Sequence, residues 1–236
     1  MSKTITTIEI YPDKVRIASA KKKKDGLKLL KLIEQPISLE EDPSRILLKA
    51  LKENKIKVDY LKTSLPREAV TIKSLELPGQ SEEEIAQMVK FQAEKFLPYS
   101  LDNLVIDHKI ISFGETSSKV ILVLAPKERV VKHLEVFLRA GLFPDEVLYS
   151  CEAYLFAASS SKEEMLILNL EPFSQEVAVI KEGGLIASRA LSIKPEELRN
   201  NPAKLISQME MTLRGTEGFK PDKILLGGSL AECSGL

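Results

Sequence analysis

Apolar and polar positions alternate with a period of two over residues 4–10, 14–20 and 27–37. That spacing belongs to strands with one face turned to a core. Ile8-Glu9-Ile10-Tyr11-Pro12 runs into Ile17-Ala18, and 160 residues later Leu168-Asn169-Leu170-Glu171-Pro172 runs into Val177-Ala178. Each copy is a strand, a proline-marked turn, a second strand, a polar turn (Lys21 to Gly26; Lys181 to Gly184) and a third strand. The repeat predicts two related α/β halves facing a cleft.

Between the copies the period changes. Pro43-Ser44 opens an amphipathic helix with Ile46, Leu47, Ala50 and Leu51 on one face. A strand is expected near 60–65 and another over Ala69–Leu77. Ser81, with Glu84 three positions on, is a capping box for the next helix. Strands at 103–112 and 118–125 follow. Pro126 starts a helix predicted to turn Val130, Val131, Leu134, Phe137 and Leu138 inward, with Gly141 as its stop. A strand at 145–149 and a helix at 150–158 close the first half. Ser159 to Lys162 reads as a linker. Strands near 164–170, 175–181 and 185–191, a helix at about 202–214 and a strand at 222–226 make the second half, and Gly227-Gly228 follows. The chain stops at Leu236 where a further helix is expected, so the pattern reads as part of a longer protein. An apolar span beyond it would point to one relative below, further soluble residues to the other.

Composition narrows the function classes. Lys+Arg and Asp+Glu both total 34, so no global field favours nucleic acid. The one basic cluster is Lys21-Lys22-Lys23-Lys24 before Asp25-Gly26. Its plain reading is a solvated hairpin turn. Its sharper reading is attraction to an anionic membrane surface, which matters once a partner already holds the protein there. Cys151 and Cys233 lack CxxC or His companions, so neither a zinc site nor a disulfide framework is expected. Without a signal peptide or an 18-residue apolar run, a reducing cytoplasmic location is expected. His108 and His133 read as surface or structural residues. Asp107 and His108 are adjacent on an alternating strand, so they point to opposite faces and form no dyad. Glu82-Glu83-Glu84 suits a helix N-terminus rather than catalysis.

Three segments carry a resemblance: Ser64-Leu65-Pro66-Arg67-Glu68-Ala69-Val70 running into Leu77-Pro78 and Ser81; Glu94-Lys95-Phe96-Leu97-Pro98-Tyr99-Ser100 followed by Val105-Ile106-Asp107; and Val123-Leu124-Ala125-Pro126-Lys127, then Ala140-Gly141-Leu142 and Cys151 to Ala157. In this order the chain resembles the actin-like PilM and GspL family, the type IV pilus assembly protein and the cytoplasmic part of the type II secretion L component. The resemblance implies an α/β, actin-like (RNase H-like) two-lobed fold with an inserted α+β subdomain of 1C type and a reduced second lobe. Residues 1–65 with 142–160 would form lobe 1A, residues 66–141 the 1C insertion, and residues 161–236 lobe 2A. The stretch from Ser192 to Gly227 is too short for a full 2B subdomain. The implied role is a non-catalytic scaffold, peripheral at the inner membrane, that binds a short cytoplasmic segment of a PilN-like bitopic partner, the assembly ATPase, or both. A homodimer is a further partner it admits. The groove for the partner would lie between 1A and 1C, near strand Ala69–Leu77 and helix Glu82–Lys95.

The resemblance also implies a nucleotide site, with Glu9, Lys14, Gly227 and Gly228 as its candidate residues. The family pattern places glycine and small hydroxyl residues at both turns, where backbone N–H groups approach phosphate. Here Tyr11, Pro12 and Asp13 occupy the first turn and Glu171, Pro172 and Phe173 the second. Proline removes a donor. A carboxylate ~4–6 Å from a phosphate costs on the order of 1–4 kcal/mol. No cofactor is therefore expected, with Mg-ATP as the weaker alternative. The rival function is an active actin-like ATP-binding protein whose nucleotide state regulates pilus assembly. A small-molecule kinase of the same superfold would need a catalytic Asp after a Gly-rich turn, and no such constellation is seen.

Overall fold

The computed structural model describes residues 3–232 except 25, 39, 80, 97, 159–162 and 217. The expected 159–162 linker and Cys233 thus lie outside the described residues. Contacts divide the chain into two compact units, Met1–Leu65 with Glu128–Tyr149, and Pro66–Lys127 with Ser150–Leu236.

The first unit is built on a five-stranded sheet. β1 (Thr4–Ile10) pairs antiparallel with β2 (Lys14–Lys23), which pairs antiparallel with β3 (Gly26–Pro36). On its other side β1 runs parallel to β4 (Tyr60–Leu65), and β4 runs parallel to β8 (Glu146–Tyr149). The order is β3-β2-β1-β4-β8. One face of this sheet carries Ile8, Val15, Ile17 and Leu61, packed against Leu47, Ala50 and Leu51 of helix α1 (Pro43–Glu53). Asp42 caps that helix by accepting from the Ser44 N–H at 3.0 Å. Burying each such leucine contributes roughly 1.5–3 kcal/mol.

The second unit holds two sheets. β5 (Thr71–Leu77), β7 (Ser118–Pro126) and β6 (Leu104–Phe113) form an antiparallel sheet with β7 central. Helix α2 (Glu82–Ala93) covers it with Ile85, Val89 and Ala93. Its start is the expected capping box: Ser81 Oγ accepts from the Glu84 N–H, and Glu84 accepts from the Ser81 N–H. The other sheet has the order β11-β10-β9-β12, from β9 (Met165–Glu171), β10 (Ser174–Lys181), β11 (Gly184–Leu191) and β12 (Lys223–Gly227). Two antiparallel neighbours and then a parallel one repeat the first sheet's pattern, as the duplicated segments predict. Helices α5 (Pro195–Asn200) and α6 (Pro202–Leu213) lie between β11 and β12. No helix among the described residues is long and apolar enough to cross a membrane.

Helix α3 (Lys127–Arg139) places Phe137, with the following Ala140, in the first unit's core, so it belongs with the first sheet and not with the inserted strands. Helix α4 (Ser150–Ala158) instead groups with the second unit. Val131 and Leu138, expected inward, are each about half exposed. The inward face of α3 takes in His133 instead. Thr63 donates its one hydroxyl proton to the Ile8 carbonyl at 2.8 Å, so His133 Nε2 must donate to Thr63 Oγ1, also at 2.8 Å. The ring packs on Phe137 at 5.4 Å.

Burial holds the His133 pKa at about 4, below the usual 6.5. The unfolded chain therefore takes up this proton first as pH falls. The stabilisation from a neutral His133 is complete above about pH 6.5 and lost towards about pH 4. Urea denaturation should show about 2 kcal/mol of this loss by about pH 5, and that part should vanish in His133→Gln.

Candidate functional site

The four residues predicted to meet nucleotide fall in separate units, Glu9 and Lys14 in the first, Gly227 and Gly228 in the second. In the first, the Tyr11 N–H closes the β1–β2 turn on the Lys14 carbonyl at 2.8 Å. Glu9 Oε2 accepts from Tyr11 Oη at 3.2 Å and from Arg16 at 3.4 Å, and Glu9 Oε1 accepts from Ser64 Oγ at 3.3 Å. Arg16 also pairs with Glu34, which takes the buried Lys14 ammonium at 3.4 Å. Burial raises the Glu34 pKa while Arg16 and Lys14 lower it, and the lowering wins. The Tyr11 ring lies under both cations, 5.7 Å from Lys14 Nζ and 5.5 Å from Arg16 Cζ. Asp13 Oδ1 is buried at the same turn with no hydrogen-bond partner. Glu9 and Lys14 are thus brought together, but as members of one internal ion-pair network.

In the second unit Glu171 is fully buried at the end of β9, and Ser229 Oγ donates to it at 2.8 Å. Gln175 Nε2 donates to the Glu171 and Pro172 carbonyls, closing the turn on itself. Gly228 has φ +90°, and a Cβ there would lie 2.4 Å from the Leu170 carbonyl oxygen. Its missing side chain makes room for the neighbouring strand rather than for a ligand. Each turn thus carries a carboxylate held by partners within its own unit. Among the described residues no set of three or more His, Cys, Asp or Glu is placed to hold a metal ion.

The second unit carries another concavity. β5 and β11 are edge strands of their sheets, and a groove of about 530 Å³ runs between them, lined by Ile72 to Glu76 on one side and Leu185 to Ser188 on the other. Arg67 fixes the two strands to one another. It sits buried in a 3-10 turn before β5 and donates to the Val70 carbonyl at 2.6 Å. It also donates to Ser188 Oγ at 3.0 Å and to the Ser188 carbonyl at 2.9 Å on β11. Burial lowers the Arg67 pKa, offset in part by Cys151, Glu176 and Glu68. Glu68 accepts from Ser174 Oγ at 2.9 Å on β10. Glu176, buried on β10, accepts hydrogen bonds from Ser150, Cys151 and Tyr154 of α4, and burial pushes the Cys151 thiol far up. The strand expected beside a partner groove between 1A and 1C here lines a concavity whose facing wall, within the same unit, is β11. Helix α2 is committed to the insert's core, although Phe91 is exposed on it beneath Lys95 at 4.8 Å. Asp107 accepts from the backbone N–H of His108 and makes no dyad. Arg67 stands in the first of the family-like segments, where the sequence alone assigns it no role. A charged residue between Pro66 and the apolar Ala69-Val70 was the available signal.

A family model described as type IV pilus assembly protein PilM matches residues 8–189, well over half of the chain. The chain belongs to the PilM family. Among solved structures it is similar to one described as a PilM-PilN type IV pilus biogenesis complex, at 18% identity and a TM-score of 0.79, over 100% of this chain and 84% of that one. It is also similar to the cytoplasmic domain of EpsL, an inner membrane component of the type II secretion system of Vibrio cholerae. There the identity is 13% and the TM-score 0.59, over 98% and 86% of the two chains. A Bacteroides thetaiotaomicron protein with an actin-like ATPase fold and unknown function follows at 12% identity and 0.55, over 98% and 84%. A search of curated proteins finds no significant match. The fold of this PilM-family chain is accordingly actin-like.

Two substitutions probe its second unit. Arg67→Ala should cost about 2–4 kcal/mol in chemical denaturation, because it leaves the Val70 and Ser188 carbonyls without their donor and removes the cation near buried Glu176, with Arg67→Lys recovering only part. Gly228→Ala should cost at least about 2 kcal/mol, since its φ is positive and the clash is with backbone.

Proposed function

We propose that this chain is a non-catalytic scaffold of a type IV pilus or type II secretion assembly platform, peripheral at the cytoplasmic face of the inner membrane. Its partner is a PilN-like bitopic membrane protein, whose short cytoplasmic segment binds in extended form. The observation that carries this reading is the groove between the free edges of β5 and β11, held at one end by Arg67. An unpaired strand edge offers a row of backbone donors and acceptors, and an extended peptide satisfies them by adding a strand. Ile72, Leu75 and Ile186 along the groove would take apolar side chains of the segment, and Lys73 and Lys119 its acidic ones. The assembly ATPase is a second partner that the scaffold would connect to the membrane protein.

The turns support the non-catalytic half of the proposal. Glu9 and Lys14 are engaged with Arg16 and Glu34, and Glu171 with Ser229, so a nucleotide phosphate at either turn would have to break contacts already made there. The rival reading, an ATP-binding regulator using Glu9, Lys14, Gly227 and Gly228, makes the opposite forecast for one titration.

A synthetic peptide of the cytoplasmic segment of the membrane partner encoded beside this chain should bind in calorimetry. Ser74→Trp, which fills the groove from an exposed position, should weaken it at least tenfold, about 1.4 kcal/mol. N-methylation of alternate peptide amides should do the same. Undiminished binding by Ser74→Trp would remove the groove as the site. Mg-ATP should leave the thermal midpoint unchanged up to millimolar concentration, whereas a shift at micromolar ATP would establish the regulator instead.

A further inference from the structure

The first unit has a basic concavity at the end of its sheet opposite the Glu9 turn. Lys3, Lys22, Lys23, Lys24 and Lys62 line an open hollow of about 980 Å³. Among the described residues lining it the one carboxylate, Glu146, is already matched to Lys62 and to the Tyr60 hydroxyl. The chain as a whole is neutral, so this is a local concentration of charge. Residues paired directly across an antiparallel ladder share a face. Leu27, Leu29 and Leu32 pair with Lys22, Ala20 and Ala18, and Ile5 pairs with Ala20. All of these therefore lie on the face turned away from Val15 and Ile17 of the core. The three leucines are 55%, 56% and 62% exposed, on the edge strand β3.

We propose that this face is a docking surface for an anionic phospholipid bilayer. The lysines of the β2–β3 hairpin meet the headgroups, and Leu27, Leu29 and Leu32 enter the interface beside them. Charge complementarity selects the occupant, and the form of the patch favours a bilayer over an acidic protein or a nucleic acid. Every cation lining it is a lysine, a flexible point charge suited to a diffuse negative surface, with no guanidinium fork for bidentate recognition. Basic side chains mixed with leucines on one exposed face are the combination used by peripheral membrane elements. Each lysine brought to an anionic surface raises partition by a factor of about five. The surface needs no protein partner, so it stands independently of the β5–β11 groove.

The full chain should co-sediment with vesicles of phosphatidylcholine and phosphatidylglycerol. It should not do so with phosphatidylcholine alone, and binding should fall as salt is raised. Replacing Lys3, Lys23 and Lys24 together by Gln should weaken binding roughly hundredfold. Replacing Leu27, Leu29 and Leu32 by Ser should also weaken it, with the salt dependence retained. Circular dichroism and peptide binding at the β5–β11 groove should stay unchanged in both variants, which separates loss of this surface from loss of fold. Equal binding by the wild type and the Gln variant, or no binding to the anionic vesicles, would overturn the proposal. So would binding to soluble polyglutamate or an oligonucleotide as tight as to vesicles and indifferent to the Ser substitutions, which would assign the patch to an acidic macromolecule.

Discussion

A buried guanidinium cannot give up its proton and cannot stay unpaired, so it dictates the placement of whatever surrounds it. Arg67 is in that position. Its donors reach the Val70 carbonyl at the root of the insert and Ser188 on β11, and the carboxylate of the adjoining Glu68 reaches Ser174 on β10. A 3-10 turn of three residues thereby binds two sheets that share no ladder. The hydrophobic cores of those sheets are separate, with Leu122 and Val89 in one and Leu170 and Val179 in the other. Apolar burial gives each sheet its stability but has no direction. The polar contacts supply direction, and they set the width of the groove between β5 and β11.

The same logic explains the turns. A carboxylate at the end of β1 or β9 would be costly if left alone in a half-buried turn. Each has acquired partners from its own unit: Arg16, Tyr11 and Ser64 for Glu9, and Ser229 for Glu171. Contacts of this kind stabilise the turn in one conformation and use up the groups that a ligand would need. Binding and internal satisfaction compete for the same donors. In this chain those internal bonds stay within each unit, although Ser64 reaches Glu9 and Ser229 reaches Glu171 across more than fifty residues.

Much of the fold was legible because its signals are local. Period-two alternation, prolines at the turns and Ser81 three residues before Glu84 each act over a few residues, and the structure places strands, turns and the capping box where they indicate. The failures have a common cause. β10 is buried from Ser174 to Ile180 despite carrying Ser174, Gln175 and Glu176. Gln175 bonds within its own turn, but the partners of the other two lie far along the chain, at Glu68 for Ser174 and at Ser150 and Tyr154 for Glu176. No periodicity can report a contact across that separation. On α3 the apolar stripe was drawn too wide by two residues, Val131 and Leu138. The inward face runs through the half-buried Val130, His133 and Leu134 and the buried Phe137, and accepts a histidine because Thr63 has a lone pair to offer it. Of the candidate site, the prolines at the two turns are legible directly, while the contacts of Arg67 and Glu171 depend on neighbours distant in sequence.

The direction of the strands separates the remaining functions of the first unit. β1 and β4 run parallel, and both deliver their C-terminal ends to the same side: Glu9 and Ile10 on one, Ser64 and Leu65 on the other. The degenerate turn and the exit into the insert are therefore neighbours in the sheet. Lys3, Tyr60 and the overhanging β2–β3 hairpin gather at the opposite ends of the same strands. Seven residues of β1 at about 3.3 Å each put roughly 20 Å between the two ends. That exceeds the reach of any single side chain and about two Debye lengths at physiological salt. Charge changes at the lysine end leave the Glu9 network untouched. The order of the strands allows one lobe to meet a charged surface at one end while its other end remains a rigid, internally neutralised support.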